Sequence, residues 1–166
     1  RSLRTPSGRG RSGDMGYIMD LRAYAGHRPL IQVGAAVLVE DGEGRLLLQK
    51  RTDDHLWSFS AAGSMEPGES AEETARRELL EETGLTAYSL ELLGVYSGKE
   101  EHHIYPNGDE VYNVEFFFSC RDWSGALKRQ EEEVEALRFF ALDALPDGLS
   151  KGLQRRLTDW PAKKNA

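Results

Sequence analysis

The segment Ser70–Gly84 constrains the fold most, because it predicts one well-capped helix with an unusual acidic face. Ser70 is a preferred N-cap residue, and Glu73 three residues later completes a capping box. Ala, Arg, Leu and Glu fill the segment as far as Thr83, and Gly84 suits the left-handed residue that ends many helices. The sequence therefore predicts a helix over residues 71–83.

Three glutamates lie on one side of this predicted helix. Glu78, Glu81 and Glu82 occupy positions i, i+3 and i+4, which at 100° per residue fall within an arc of about 100°. Leu80 lies almost opposite and is predicted to anchor the helix to a core. Like charges at this spacing cost about 0.2–0.5 kcal/mol per pair, and a divalent cation turns that cost into favourable coordination. For the three glutamates taken alone, a solvated acidic surface is the alternative interpretation.

The residues around these glutamates form a longer pattern. Gly63 is followed by five residues and Glu69, and then by seven residues and the run Arg77–Leu85. Two glycines, four glutamates, one arginine and two aliphatic residues are fixed at their spacing. From residue frequencies alone, a chance match is on the order of one in a million. The pattern therefore indicates more than a solvated helix.

This pattern resembles the signature box of the Nudix hydrolases, G-x5-E-x7-R-E-U-x-E-E-x-G-U with U aliphatic, and every fixed position is met between Gly63 and Leu85. The order of flanking elements resembles the family over roughly Leu30–Trp160. The resemblance implies an α/β (α+β) fold, an α/β/α sandwich around a central mixed β-sheet with the box as loop–helix–loop. It also implies hydrolysis of the pyrophosphate bond of a nucleoside diphosphate linked to another moiety, with Mg²⁺ or Mn²⁺ as cofactor.

The resemblance also implies a role for each residue of the box. Arg77 is implied to orient a box carboxylate, and its position beside the acidic face agrees with this role. Metal ligation is implied for the carbonyl of Gly63 and for Glu69, Glu78, Glu81 and Glu82.

The general base that takes a proton from the attacking water has two candidate positions. Within the family it comes from the box or from a later loop, and here the later candidate is Glu133. Catalytic roles are predicted for Glu81, Glu82 and Glu133, and Glu82 is ranked ahead of Glu133 as the base. A solvated acidic loop is the alternative interpretation of residues 131–135.

Substrate contacts are predicted from a basic strand end and from aromatic residues. Lys50 and Arg51 end a predicted strand, and strand alternation turns one of them inward. The resemblance favours Arg51 as the residue that binds substrate phosphate, and an exposed strand end is the alternative interpretation. Trp57, Tyr96 and Tyr105 are candidates for contacts with the nucleobase. For Trp57, a place in the core or the cleft wall is favoured over stacking.

The loop before the box departs from the family. Ala61 and Ala62 stand where relatives commonly have Pro-Gly. The resemblance therefore does not determine the path of this loop or the shape of the substrate pocket.

Hydrophobic patterning predicts the remaining elements. The first two strands are predicted to pair as a hairpin, and residues 52–60 and 63–68 are predicted to be loops. The predicted strands cover residues 30–39, 45–51, 88–99, 111–120 and 135–141, and a last helix covers residues 150–160.

Charge and composition limit the classes of partner that the protein is expected to bind. Residues 1–14 hold four Arg and one Asp and are predicted to be a disordered basic tail or leader sequence, ahead of a single domain over 15–166. The remaining 17 basic and 27 acidic residues give that domain a net charge of −10, which disfavours nucleic-acid binding and suits a small anionic nucleotide reached through metal. No apolar stretch is long enough for a membrane span. The lone Cys120 favours a reducing compartment, and a cytoplasmic location is predicted. A homodimer is an open expectation.

Three hypotheses about function remain open. The segments His27–Leu30, Leu47–Arg51 and Tyr105–Val114 resemble bacterial ADP-ribose pyrophosphatase-like members, so ADP-ribose or a related nucleotide sugar is the leading substrate. A nucleotide-pool sanitiser that hydrolyses modified nucleoside triphosphates is the first alternative. A non-catalytic Nudix-fold nucleotide-binding module is the second, although such modules usually lose box glutamates and this chain retains all of them.

Overall fold

The computed structural model describes residues 16–165, with side chains described as far as Trp160. The predicted tail over residues 1–14 lies outside the described residues. Within that range the helices are α1 (Tyr17–Ala25), α2 (Ala71–Thr83) and α3 (Lys151–Asn165), and the strands are β1 (Leu30–Val39), β2 (Leu46–Arg51), β3 (Trp57–Ser58), β4 (Ala61–Ser64), β5 (Thr86–Tyr96), β6 (His102–Ile104), β7 (Glu110–Ser124) and β8 (Val134–Phe140). None of these helices has the length and apolarity that spanning a bilayer requires.

The strands form two sheets. The larger sheet has the order β4-β1-β7-β5, with β6 pairing along part of β7. Its β1 and β7 are parallel, whereas its other pairs are antiparallel, so the predicted mixed sheet is confirmed. The smaller sheet has the antiparallel order β3-β2-β8.

Strand β1 is apolar on both faces because a helix covers each side of the larger sheet. On one side Val37 belongs to a core that includes Ala75 and Leu79 of α2. On the other side Leu38 belongs to a second core that includes Leu153 of α3. The layers therefore run α2, sheet, α3, which is the expected α/β/α arrangement.

Helix α2 forms as its caps predict. The Ser70 hydroxyl accepts a hydrogen bond from the Glu73 N–H at 3.1 Å, and Gly84 ends the helix with φ of 79°. The prediction that Leu80 anchors the helix is wrong, because Leu80 is 55% exposed and Leu79 is fully buried. The phase of the helix turns Leu79 towards the sheet and Leu80 towards solvent.

Two predictions about the strands before α2 are wrong. β1 and β2 do not form a hairpin: only the bridge between Glu40 and Leu46 joins them. β1 already pairs with β4 on one edge and β7 on the other, so it has no free edge for β2. The predicted loops over 52–60 and 63–68 contain β3 and the second half of β4, which are short strands that pairing with longer neighbours stabilises.

The sequence patterns placed the other strand ends within a few residues. β5 and β7 both begin earlier than predicted, and β7 also ends later. Helix α3 continues to Asn165, beyond the predicted end at Trp160. Helix α1 has no counterpart among the predictions, because it buries no residue fully and shows no strong apolar period.

Candidate metal and nucleotide site

The acidic face of α2 opens into a cleft of about 1010 Å³. α2, β4, the start of α1 and the loop around Tyr105 all contribute walls. Residues of β1 and β7 form the floor. The predicted site residues that line this cleft are Arg51, Gly63, Arg77, Glu78, Glu81, Glu82, Tyr105 and Glu133.

Two of the three helix glutamates are buried. Glu78 and Glu82 are each 2% exposed, whereas the Glu81 side chain is 42% exposed. Burial raises the pKa of Glu78 to about 7 and that of Glu82 to about 8, although hydrogen bonds and nearby arginines oppose the shift. The two carboxyls therefore lie where a positive charge would stabilise their ionised form.

Glu82 is held by one neutral and one charged donor. The Ala62 N–H donates to its Oε2 at 2.9 Å, and Arg51 Nη1 lies 3.4 Å from its Oε1. Ala62, which stands in place of the family's glycine, thus contacts the acidic face through its backbone. Of the two basic residues that end β2, Arg51 lines the cleft, whereas Lys50 pairs with Glu135.

Arg77 connects the acidic residues of the box. Its Nε and Nη2 donate to the two oxygens of Glu69 at 2.7 and 2.9 Å, and its Nη1 donates to Glu78 Oε1 at 2.8 Å. Its Nη2 also donates to the Ser64 carbonyl at 3.0 Å. The hydrogen bonds from Arg77 lower the pKa of Glu69 to about 2, despite partial burial. Arg77 therefore fixes the orientation of Glu69 and Glu78 relative to β4.

The donor set suits a hard divalent cation. Oε2 of Glu78 is buried and has no hydrogen-bond partner in the described part of the chain, although a buried carboxylate oxygen normally has one. A Cβ on Gly63 would overlap the Glu78 carboxyl, so glycine at this position keeps that carboxyl against the Gly63 backbone. Carboxylate and carbonyl oxygens are the ligands that Mg²⁺ prefers.

The carboxylates must turn to bind such a cation together. Across residues 16–165, no three acidic, histidine or cysteine side chains are grouped tightly enough to hold a metal ion as they stand. Arg77 Nη1 lies between Glu78 and Glu81, 2.8 and 3.4 Å from their oxygens, and compensates their charge in this arrangement.

The cleft brings the second candidate base to the same space. Glu133 lines the cleft, and its carbonyl accepts a hydrogen bond from the Thr52 N–H at 3.0 Å. Its own N–H donates to the Gln130 carbonyl at 3.1 Å. Both positions predicted for the base, Glu82 and Glu133, therefore border one cleft.

Two predicted substrate contacts do not line the cleft. Trp57 is 8% exposed and packs edge-on against Phe140, with ring centroids 4.9 Å apart, so it belongs to the core. The Tyr96 ring lies against the guanidinium of Arg156, 3.8 Å from its Cζ. Tyr105 does line the cleft and is 41% exposed.

Helix α1 forms one end of the cleft and was missed by the sequence analysis. The Tyr17 N–H donates to Glu66 Oε2 at 3.1 Å, which fixes the start of the helix. Arg22 donates to the carbonyls of Arg28 and Glu110, both at 2.6 Å, which fixes the other end. The signal available in the sequence was a short helix-forming run that ends at Gly26.

The floor of the cleft carries polar residues that were also missed. Gln32 of β1 and Asn113 and Glu115 of β7 line it. In β7 they replace the apolar residues that alternation places on this face, where Phe117 continues into the core. A polar residue at an inward strand position was the signal that could have identified them.

An α/β/α domain with a carboxylate-rich cleft is thus defined by the fold and the site. A family model described as NUDIX domain matches residues 30–161, and the chain belongs to this family.

Relatives and solved structures agree with this membership. A protein of Bacillus subtilis (strain 168) named as an 8-oxo-dGTP diphosphatase is 44% identical over 75 residues, which cover 43% of this chain and 50% of that protein. MutT4 of Mycobacterium tuberculosis (strain CDC 1551 / Oshkosh), named as a mutator protein, is 31% identical over 128 residues, covering 77% of this chain and 46% of that protein. The chain thus spans about half the length of these curated relatives.

The fold is shared with a crystal structure of a MutT NUDIX hydrolase from Burkholderia pseudomallei. Its TM-score is 0.67 at 28% identity, and the match covers 78% of this chain and 97% of that chain.

Proposed function

We propose that this protein is a metal-dependent hydrolase that cleaves the pyrophosphate bond of a nucleoside diphosphate derivative. The observation that carries the proposal is the burial of Glu78 and Glu82 side by side on the wall of a cleft that Arg51 also lines. Burying two acids with incomplete charge compensation is costly, and a bound divalent cation offsets that cost. Family membership supports the same chemistry.

The roles of the cleft residues follow from their contacts. Glu78, Glu81 and Glu82 would hold the cation, with Glu69 and the Gly63 carbonyl as further oxygen donors. When bound, Mg²⁺ or Mn²⁺ supplies charge that screens the diphosphate and lowers the pKa of a coordinated water.

The arginines would position the anionic groups. Arg77 keeps Glu69 and Glu78 oriented through the hydrogen bonds described above. Arg51 lies at the mouth of the acidic face, 3.4 Å from Glu82, where it would bind a substrate phosphate.

Glu82 is the preferred general base. It lies on the rigid helix α2, and the Ala62 N–H fixes its Oε2. Burial raises the pKa of Glu82 to about 8 in the absence of metal, and a bound cation would keep its carboxylate ionised, as a general base requires. Glu133, at the end of the loop before β8, is the alternative.

ADP-ribose or a related nucleotide sugar is the leading substrate. The cleft volume of about 1010 Å³ lies at the upper end of the range for ligand sites, which leaves room for a second moiety beyond a nucleotide. Hydrolysis of modified nucleoside triphosphates is the second candidate, and the name of the Bacillus subtilis relative favours it. A cytoplasmic location and a homodimer stay predictions.

A substrate panel tests the proposal. ADP-ribose, a nucleotide sugar and oxidised and ordinary nucleoside triphosphates are offered with Mg²⁺ or Mn²⁺ to the wild type, to Glu82→Gln and to Glu73→Gln. Glu73 is exposed on the same helix, so Glu73→Gln matches the charge change outside the cleft. We expect Glu82→Gln to lower kcat/KM by about 10²–10⁴-fold and Glu73→Gln to leave it unchanged.

The products then name the substrate class. A nucleoside monophosphate released together with a sugar phosphate indicates a nucleotide sugar as substrate. A nucleoside monophosphate released together with pyrophosphate indicates the sanitising reaction. If no compound is turned over faster by the wild type than by Glu82→Gln, the proposal fails. Nucleotide binding without turnover would indicate the non-catalytic module instead.

A further inference from the structure

A buried arginine lies under the floor of the cleft, away from the metal-binding helix. Arg156 of α3 is 1% exposed. Its Nη1 and Nη2 donate to the two oxygens of Glu101 at 2.9 and 3.0 Å, and its Cζ lies 3.8 Å from the centroid of Tyr96. A paired and stacked guanidinium of this kind has one fixed orientation.

The same arginine holds a second carboxylate, but by only one of its oxygens. Arg156 Nε and Nη2 donate to Glu115 Oε1 at 3.2 and 2.7 Å. Within residues 16–160, Glu115 Oε2 receives no hydrogen bond, and the Glu115 side chain lines the cleft with 19% of its surface exposed. Oε2 is therefore an acceptor that the protein itself leaves open on the cleft floor.

The sheet register places this acceptor at a defined distance from the acidic helix. Glu115 on β7 is level with Gly34 on β1, and Gly34 is level with Ser64 on β4. Two strand spacings, about 10 Å, therefore separate the backbones of Glu115 and Ser64. Ser64 follows Gly63, which contacts Glu78. If a diphosphate group binds at the helix, the nucleoside part of the same ligand would therefore extend along the cleft floor to Glu115.

The floor between these points is lined by polar residues and by Gly34, which adds no side chain. Asn113 lies two residues before Glu115 on the same face of β7, about 7 Å away. Within the described residues, the Asn113 side chain forms no hydrogen bond with protein groups. The backbones of these two polar residues are thus separated by about the width of a purine ring system.

The charge of Glu115 decides which part of a nucleotide it faces. A carboxylate repels phosphate and accepts hydrogen bonds only from N–H or O–H groups. An exocyclic amino group of a purine supplies such an N–H at the ring edge, and Asn113 beside it can pair with a ring nitrogen.

We propose that Glu115 accepts a hydrogen bond from the exocyclic amino group of a purine nucleotide and so determines nucleobase specificity, with Arg156 as the residue that positions it. The inference rests on the proposed function only in taking the ligand to be a nucleotide. Arg156 does not touch the ligand. Its two hydrogen bonds to Oε1 present Oε2 to the cleft.

Because Arg156 fixes the orientation of the side chain at position 115, one substitution there tests the proposal. In Glu115→Gln, the guanidinium requires the amide oxygen on its own side, so the amide NH₂ faces the cleft. The substitution therefore replaces an acceptor by a donor without changing the shape of the side chain. AMP and IMP carry a donor and an acceptor, respectively, at the same ring position, and GMP and IMP differ by one amino group.

The experiment uses titration calorimetry to measure the equilibrium binding of AMP, GMP and IMP to the full chain with Mg²⁺. These monophosphates contain no phosphoanhydride bond, so binding is measured without turnover. We expect the wild type to bind AMP or GMP about tenfold more tightly than IMP, as for a hydrogen bond to a charged group. We expect Glu115→Gln to lose or reverse that preference. Asp122→Asn, an equal charge change at an exposed position of β7, should retain it.

A ligand-side measurement needs no variant. Dimethylation of the amino nitrogen of AMP or GMP removes both N–H donors, and we expect the preferred nucleotide to bind about tenfold more weakly when so modified. The inference is overturned if the wild type does not discriminate against IMP, if Glu115→Gln retains the wild-type preference, or if none of the three monophosphates binds.

The proposed function is tested separately, by measuring turnover of the substrate panel. Turnover with an unchanged purine preference in Glu115→Gln overturns the inference and leaves the hydrolase standing. A preference that depends on Glu115 in a wild type that hydrolyses nothing supports the inference and overturns the hydrolase.

Discussion

Two clusters in this molecule each place an arginine among carboxylates, and they differ in how completely the charges are matched. On α2, Arg77 faces the acids Glu69, Glu78 and Glu81, and Glu82 lies deeper beside Arg51. Negative charge exceeds positive charge there, and one oxygen of Glu78 has no partner in the described part of the chain.

Under the sheet, the cluster around Arg156 is closer to balance. Arg156 is fully buried and donates to both oxygens of Glu101 and to one oxygen of Glu115. Burial acts to raise the pKa of Glu101, but the charges and hydrogen bonds of Arg156 and Arg155 together hold it below its ordinary value, whereas burial raises the pKa of Glu115. The acids on α2 are left incompletely matched, as the proposed cation site requires, whereas the matched acids around Arg156 form a fixed support.

The largest effect should come from removing the central cation of the matched cluster. Arg156→Met leaves Glu101 and Glu115 buried without their partner, and we expect a loss of about 3–5 kcal/mol in the free energy of unfolding. Urea unfolding measures it. The matched control is Arg155→Met, since the Arg155 side chain is 37% exposed and lies 3.5 Å from Glu101; its cost should stay below about 1 kcal/mol. Equal costs for the two variants would contradict the comparison.

Two glycines should separate stability from metal binding. A Cβ on Gly34 would overlap the Gly63 carbonyl, which is backbone, so Gly34→Ala should cost about 1–3 kcal/mol of stability. A Cβ on Gly63 would overlap only the end of the Glu78 side chain, so Gly63→Ala should cost less stability but weaken Mg²⁺ binding. Calorimetric Mg²⁺ titration measures metal affinity in both variants, and urea unfolding measures their stability. A reversed ranking would contradict the assignment of Glu78 as a ligand.

Neutralising an acid in the unmatched cluster should have opposite effects with and without metal. Glu82→Gln removes an acid beside Glu78 whose ionised form burial disfavours, and we expect the chelator-treated protein to gain about 1 kcal/mol of stability. The same variant should lose most of the stabilisation that millimolar Mg²⁺ gives the wild type. Thermal unfolding with chelator and with Mg²⁺ measures both. The prediction is wrong if Mg²⁺ stabilises both proteins equally.

The smallest effect concerns the acid stability of the matched cluster. Because the folded-state pKa of Glu101 lies below its ordinary value of 4.5, its contribution is present above about pH 4.5 and is lost as the pH falls through the folded-state value. The wild type should therefore lose stability in acid more steeply than Glu101→Gln. Urea midpoints between about pH 3 and 6 give the two slopes, and parallel slopes would contradict the role given to Arg156.

Local sequence signals were sufficient for the parts of the fold that depend on short-range chemistry. Ser70 and Gly84 set the ends of α2, and the apolar run of β1 matched its observed bounds. The hairpin prediction failed because pairing partners are chosen by tertiary structure. The edges of β1 are taken by β4 and β7, so β2 joins another sheet.

The sequence by itself determined which residues could meet on the acidic face, because i, i+3 and i+4 positions share a side of any helix. Only the tertiary structure decided which of them are buried, since burial of Glu78 and Glu82 depends on how β4 packs against α2. It also decided that Trp57 belongs to the core and that Tyr96 supports Arg156. The cluster of Arg156, Glu101 and Glu115 was invisible in the sequence, because its members are separated by 14 to 55 positions and meet only when α3 packs on the sheet.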